Sequence, residues 1–299
     1  LDRRQEIPET GRLSLADRWI LSRLSRVTNE VRQTLDAYRF NDAAAALYGF
    51  VWHEFCDWYL EAAKPALQGK RDEGARDASR AVLWRVLHDA LILLHPFIPF
   101  VTEEIWHKLP GADGSIMRAQ FPADRPAFGG GGPDPEAEDR MGLLIDVISA
   151  IRNVRGEMGI PPGMALEAVI HAVDAGARST LEVHRETVVN LARLKSLSVS
   201  AAPERPRASA TAVARGVTIY VRLEGVIDFA REIERLQKEL GKIDKELASV
   251  VKKLNNQDFM AKAPAEVVAK VNAQQHEWMD RRQKLQANLE KIKAYDSAS

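Results

Sequence analysis

Two groups of side chains in this 299-residue sequence have the types and spacing for nucleic-acid chemistry. The first is Trp19 with Arg23 and Arg26 on one helical face, and Arg18, Ser22 and Asn29 beside it. A tryptophan off the apolar stripe and among arginines has the composition of a base-stacking platform, because the indole offers a π-face and the guanidiniums offer charge. The same residues suit a tryptophan at the edge of a core. Arg39 and Phe40, just before a second helix, fit either part. The second group is periodic: Arg231, Lys238, Lys245 and Lys252 recur every seven residues, with Arg235 and Lys242 between them. With Ile233 at coiled-coil position a, these cations fall at f and c, away from the seam, while Glu232, Glu239 and Glu246 take g. Cations about one helical turn apart can track phosphates and release counterions at each contact. A solvated lysine face has the same pattern.

Other chemistry is not encoded. Gly129 to Gly132 has no following Lys-Ser/Thr and no preceding strand, so it reads as a flexible loop rather than a phosphate cradle. The seven histidines are scattered; His88 and His95, two turns apart, are too far from each other to share an ion. Cys56, between Phe55 and Asp57, reads as a buried thiol. A single cysteine excludes an internal disulfide framework and a Cys-clustered zinc site, and points to a reducing, cytoplasmic compartment. Neither a catalytic constellation nor a metal site is expected. The longest apolar stretch, Ala90 to Val101, is broken by His95, Pro96 and Pro99, so no membrane span is expected. The N-terminus lacks the apolar core of a secretory signal, and the missing initiator methionine suggests a fragment or processed chain. With 45% apolar and 28% charged residues the composition is that of a folded protein. The 42 basic and 42 acidic side chains cancel, but an average does not exclude nucleic acid. From Phe229 onward 14 basic residues face 11 acidic ones, a surplus of only +3, so it is the sorting of charge by helix face that matters.

The elements that must position these groups are mainly α. Ser14 and Asp17 form a capping box, and Ile20, Leu24, Val27, Val31 and Leu35 follow at helical spacing. A second helix is expected from Asn41 or Asp42 to about Leu67, with Phe50, Trp52, Phe55, Trp58 and Tyr59 mostly in the core. A third spans roughly Ala75 to Leu94, a short fourth about Pro99 to Leu109, and a fifth about Pro135 to Met158. Five helices joined by turns make an antiparallel helical bundle over 1–163. Leu166–Val173, Ser196–Ser200 and Val217–Leu223 read as strands, with a helix over Ala175–Leu194 and a Pro/Ala/Ser-rich loop over Ala201–Ala212; this is a small α/β connector at 164–225. Beyond it, Ile233, Leu236, Leu240, Ile243, Leu247, Val250 and Leu254 alternate three and four apart. Val267, Val271, Trp278, Leu285, Leu289 and Ile292 answer them, with Gln275 and Arg282 in the remaining seam positions. This predicts a C-terminal antiparallel helical hairpin, a coiled coil, over 226–299.

Several strings resemble class I aminoacyl-tRNA synthetases for branched aliphatic amino acids. Asp17-Arg18-Trp19-Ile20-Leu21-Ser22-Arg23-Leu24 is similar to the opening of their anticodon-binding bundle. Phe40-Asn41-Asp42-Ala43 with Phe50-Val51-Trp52-His53-Glu54-Phe55-Cys56-Asp57-Trp58-Tyr59 resembles its second helix, and Leu94-His95-Pro96-Phe97-Ile98-Pro99-Phe100 through Trp106 is a further likeness. Ile151-Arg152-Asn153-Val154-Arg155, Gly159-Ile160-Pro161-Pro162 and Lys262-Ala263-Pro264-Ala265-Glu266 in the hairpin point to the valyl branch. The His-Ile-Gly-His and Lys-Met-Ser-Lys-Ser signatures of the family are absent, as is an editing domain.

The resemblance implies the C-terminal third of a valine-specific, ATP-dependent ligase, with ATP and Mg held by an absent catalytic core and no cofactor in this piece. It implies that Arg18, Trp19 and Arg23, with Arg39 and Phe40, meet the anticodon. It also implies that Arg231, Arg235, Lys238, Lys242, Lys245 and Lys252 meet the backbone at the outer corner of a valine tRNA, with the chain monomeric. A rival reading is a non-catalytic helical scaffold whose coiled coil associates with protein; Gln275 and Arg282 in the seam leave room for a partner helix.

Overall fold

The computed structural model describes residues 12–122, 133–226, 229–256 and 264–296. The Gly129–Gly132 loop, the N-terminal segment before residue 12 and Lys262-Ala263 lie outside them. The chain divides into two compact units, residues 1–146 and 147–299.

The first unit is a helical bundle. Helix α1 (Leu15–Asp36) opens on the expected capping box: Ser14 Oγ accepts the Asp17 amide at 3.2 Å, and Asp17 accepts the Ser14 amide at 3.1 Å. Ile20, Leu24, Val27 and Val31 are buried along its inner face. The expected second helix is a rod of three pieces: α2 (Phe40–Tyr48), a π-helical stretch over Gly49–Tyr59, and α3 (Leu60–Leu67). In the π stretch the buried side chains are Phe50, Phe55 and Tyr59, spaced five and four apart. That spacing suits a helix hydrogen-bonded i→i+5, with about 4.4 residues per turn, rather than an α-helix. Trp52, expected mostly in the core, is therefore rotated out to 55% exposure. Helix α4 (Glu73–Leu94) starts where Asp72 accepts the Ala75 amide, and α5 (Pro99–Trp106) has its proline in the first turn, where no amide is needed. Helix α6 (Pro135–Glu157) begins in this unit.

The second unit carries a four-stranded sheet in the order β2-β1-β4-β3. Strand β1 (Leu166–His171) leads through α7 (Ala175–Val183) and α8 (Arg185–Ala192) to the parallel β2 (Leu194–Ser200). Strand β3 (Ser209–Ala214) pairs antiparallel with β4 (Val217–Arg222), which pairs antiparallel with β1. The expected loop over Ala201–Ala212 thus ends in a strand. Arg215 and Gly216, both with positive φ (43° and 76°), form the two-residue turn that a right-twisted hairpin favours. The arm is α9 (Phe229–Leu254) paired with α10 (Ala265–Asp296). Leu236, Leu240, Ile243 and Val250 of α9 and Leu289 and Ile292 of α10 are buried in its seam. Val267 is 42% exposed and Val268 takes the inner position.

Candidate nucleic-acid interface

The Asp-Arg-Trp string of α1 holds the bundle together. Asp17 is 1% exposed and collects donors from three elements: Ser14 Oγ at 2.6 Å, Tyr59 Oη at 2.9 Å and Ser79 Oγ at 3.2 Å. Burial and the Asp17 charge raise the Tyr59 hydroxyl well above its ordinary value, so it stays a donor. Arg18 reaches Asp134 at 2.7 Å, and Glu136 at 3.6 Å, at the start of α6. Ser22 accepts the Asp134 amide at 2.7 Å and donates to Glu138. Arg23 clamps Glu54 of the π stretch with contacts of 2.8–3.1 Å; this bond, working against the burial of the guanidinium, raises its pKa. Arg26 binds Glu138 at 2.6 Å. Trp19 is only 4% exposed. The stacking platform expected from Trp19 is therefore not there: the indole fills the core, and its arginines cross-brace α1 to the π stretch and α6.

The α1–α2 corner has the opposite character. The chain leaves α1 through a Schellman turn, the Tyr38 amide donating to Leu35 O (2.9 Å) and the Arg39 amide to Thr34 O (2.8 Å). That turn puts Tyr38 at φ 58°, a left-handed position usually given to glycine and costing a side-chain-bearing residue about 1 kcal/mol. Tyr38 is 81% exposed, its ring edge-on to the half-exposed Phe40 at 6.3 Å. Between them the exposed Arg39 pairs with Asp42, at 3.4 Å. Farther along the rod, Tyr48 and Trp52 stack in parallel at 6.2 Å, both exposed, with His53 edge-on to Tyr48 at 5.6 Å. Arg39 and Phe40 were expected from the sequence; Tyr38 and Tyr48 were not, and Trp52 was assigned mostly to the core. A tyrosine in a glycine position before Arg-Phe is the signal that could have found the corner.

On α9, Arg231, Arg235, Lys238, Lys242, Lys245 and Lys252 are all exposed; Arg235, Lys238 and Lys242 flank the seam on the side of α10 rather than lying opposite it. Lys238 is 2.6 Å from Glu234, while Arg235 and, from α10, Arg281 share Glu239 at 3.1 Å each. Arg282 leaves the expected seam position for the surface and pairs with Asp244 at 2.6 Å. Lys242 and Lys245 have no ion pair among the described residues.

Two stretches of the chain match family models, one over the bundle and its continuation and one over the helical hairpin. Residues 17–170 match the family of the anticodon-binding domain of tRNA ligase, and residues 228–293 match the valyl tRNA synthetase tRNA binding arm. The chain belongs to the anticodon-binding domain family of tRNA ligases. It is 45% identical over 288 residues to the valine–tRNA ligase of Geobacter sulfurreducens, covering 96% of this chain and 32% of that protein. With the Nitratidesulfovibrio vulgaris valine–tRNA ligase it shares 45% identity over 271 residues, 90% of this chain and 30% of that protein. The Bacillus subtilis valine–tRNA ligase is 38% identical over 288 residues, 96% and 32%. The chain spans about a third of the length of these curated relatives.

Among the described residues no cluster of three His, Cys, Asp or Glu side chains could hold a metal ion. No helix there is long and apolar enough to cross a membrane. Cys56 is half-buried, and burial followed by the Asp57 charge pushes its thiol up, away from nucleophilic use.

Proposed function

We propose that this chain is the tRNA-binding part of a valine–tRNA ligase. The bundle takes the anticodon stem-loop and the arm takes the outer corner of a valine tRNA through phosphate contacts. ATP, magnesium and the ligation step then belong to residues this chain does not contain, and the chain alone is inactive, monomeric and cytoplasmic. The observation that carries the reading is the Tyr38–Arg39–Phe40 corner: backbone strain is retained at a tyrosine 81% exposed, beside a cation and a second ring, where no core packing is gained. Bases unstacked from a loop can lie on such rings while Arg39 meets a phosphate or base edge. Arg39 and Phe40 stay in the anticodon set, joined by Tyr38; Arg18, Trp19 and Arg23 leave it.

The test is binding of a valine-tRNA transcript to the full chain by filter retention. Tyr38→Gly relieves the left-handed strain and raises stability by up to about 1 kcal/mol, yet weakens binding. Exchanging the anticodon bases weakens wild-type binding and has less effect on Tyr38→Gly. Binding indifferent to the anticodon overturns the reading.

A further inference from the structure

Between α9 and α10 lies a groove of about 630 Å³ that the charge pattern of α9 alone does not reveal. Arg235, Lys238 and Lys242 line it from α9, and Trp278 and Arg281 from α10. Trp278 occupies a seam position opposite the buried Ile243 but is itself only half-buried, so part of the indole remains at the groove. The Arg281 guanidinium stands 5.6 Å from the Trp278 ring centre and is held there by Glu239, which Arg235 also grips. The lining holds four cations against two carboxylates, Glu239 and Glu246; with Glu234, which pairs Lys238 at the rim, the balance is still positive, and Glu239 is already bound by two arginines. Lys242 has no ion pair among the described residues and is available to an incoming anion.

A half-buried aromatic ring with a guanidinium over part of it and exposed lysines around it is the set that single-stranded nucleic acid uses: the open part of the ring takes a base and the cations take the flanking phosphates. We propose that this groove is a base-stacking subsite, in which an unpaired nucleobase of the bound RNA lies against Trp278 while Lys238 and Lys242 hold the adjoining phosphates. The proposal rests on the RNA-binding reading of the arm and adds a base contact to a surface otherwise expected to meet phosphates alone.

The experiment measures affinity of the full chain for a valine-tRNA transcript between 50 and 200 mM salt. Trp278→Leu keeps an apolar seam residue and removes the π-face; Trp278→Phe keeps a ring; Lys242→Ala removes one cation. Trp278→Leu is expected to weaken binding about 5- to 150-fold with the salt slope unchanged, and Trp278→Phe to retain most of the affinity. Lys242→Ala is expected to shallow the slope by somewhat under one unit. Circular dichroism of each variant reports whether the hairpin stays helical. Wild-type affinity in a helical Trp278→Leu overturns the subsite while leaving the phosphate reading intact. If Lys242→Ala and Trp278→Leu both bind as wild type and Tyr38→Gly does not, the arm reading itself falls. A concentration-dependent dimer dissolved by Trp278→Leu assigns the groove to a second copy and also overturns the proposal.

Discussion

Replacing Tyr59 by phenylalanine removes one oxygen from the bundle's most enclosed polar site. Its hydroxyl donates to Asp17 Oδ1 at 2.9 Å, inside a residue with no measurable exposure. Among the described residues Asp17 has no cation as a hydrogen-bonding partner, so each donor counts, and a hydrogen bond to a charged group is worth about 1.5–3 kcal/mol. For a unit of this size that corresponds to a fall in Tm of roughly 3–12 °C. The pH dependence is more diagnostic than the magnitude. An unfolded tyrosine ionises near pH ~10, whereas burial first and the Asp17 charge second keep the folded Tyr59 protonated well above that. The native state therefore binds the proton more tightly than the unfolded state. The stabilisation is complete below pH ~10 and is lost as pH rises toward the folded value, at up to about 1.4 kcal/mol per pH unit. Tyr59→Phe has no proton there to lose. Urea unfolding followed by circular dichroism should show the two proteins far apart at pH 8 and converging above pH 10. Equal stability at pH 8, or parallel curves into the alkaline range, would refute the network.

Trp19→Ala should destabilise by about 3–5 kcal/mol as a buried large-to-small change, while Trp19→Leu should leave tRNA affinity unchanged; thermal melts and filter binding check the pair. Asp89 is buried, which raises its carboxyl, but the hydrogen bond from His88 and the charge of Arg85 outweigh this and hold it below the usual carboxylate range. Its contribution is therefore present at neutral pH and lost as pH falls below about 4, so wild type and Asp89→Asn should converge in acid denaturation. Arg155 donates to the carbonyls of Pro161, Met164, Ala192 and Arg193, with no carboxylate among these partners. Arg155→Met should cost on the order of 3 kcal/mol and speed amide exchange in β1 and β2.

The first arm helix was legible because its three-four repeat from Ile233 to Leu254 runs without interruption, whereas in the second Val267 and Arg282 left their expected seam positions. The α1 cap was legible for the same kind of reason, two side chains three residues apart with one mutual arrangement. Trp19 was misplaced because its neighbours Arg18, Arg23 and Arg26 look like solvent-facing cations until their carboxylates arrive from Glu54, Asp134 and Glu138, up to 116 residues away. Trp52 was misplaced because a 3.6-residue period was read through a segment that turns more slowly. Tyr38 was passed over because local preference argues against a tyrosine at φ 58°. Strand β3 was hidden by small residues whose alternation is faint. The groove at Trp278 needs two helices in register, which no single-helix projection contains.

The slow turn of Gly49–Tyr59 has an evolutionary side. Eleven residues at about 4.4 per turn make the same two and a half turns that an α-helix completes in roughly nine. The segment is thus two residues over-long for the angle it covers. A lineage losing two residues there would return α3 to the same azimuth relative to α2, whereas losing one would swing everything downstream by roughly 100°. Length variation in this rod should accordingly come in pairs, and where the pair is missing the Tyr48–Trp52 ledge should be missing with it.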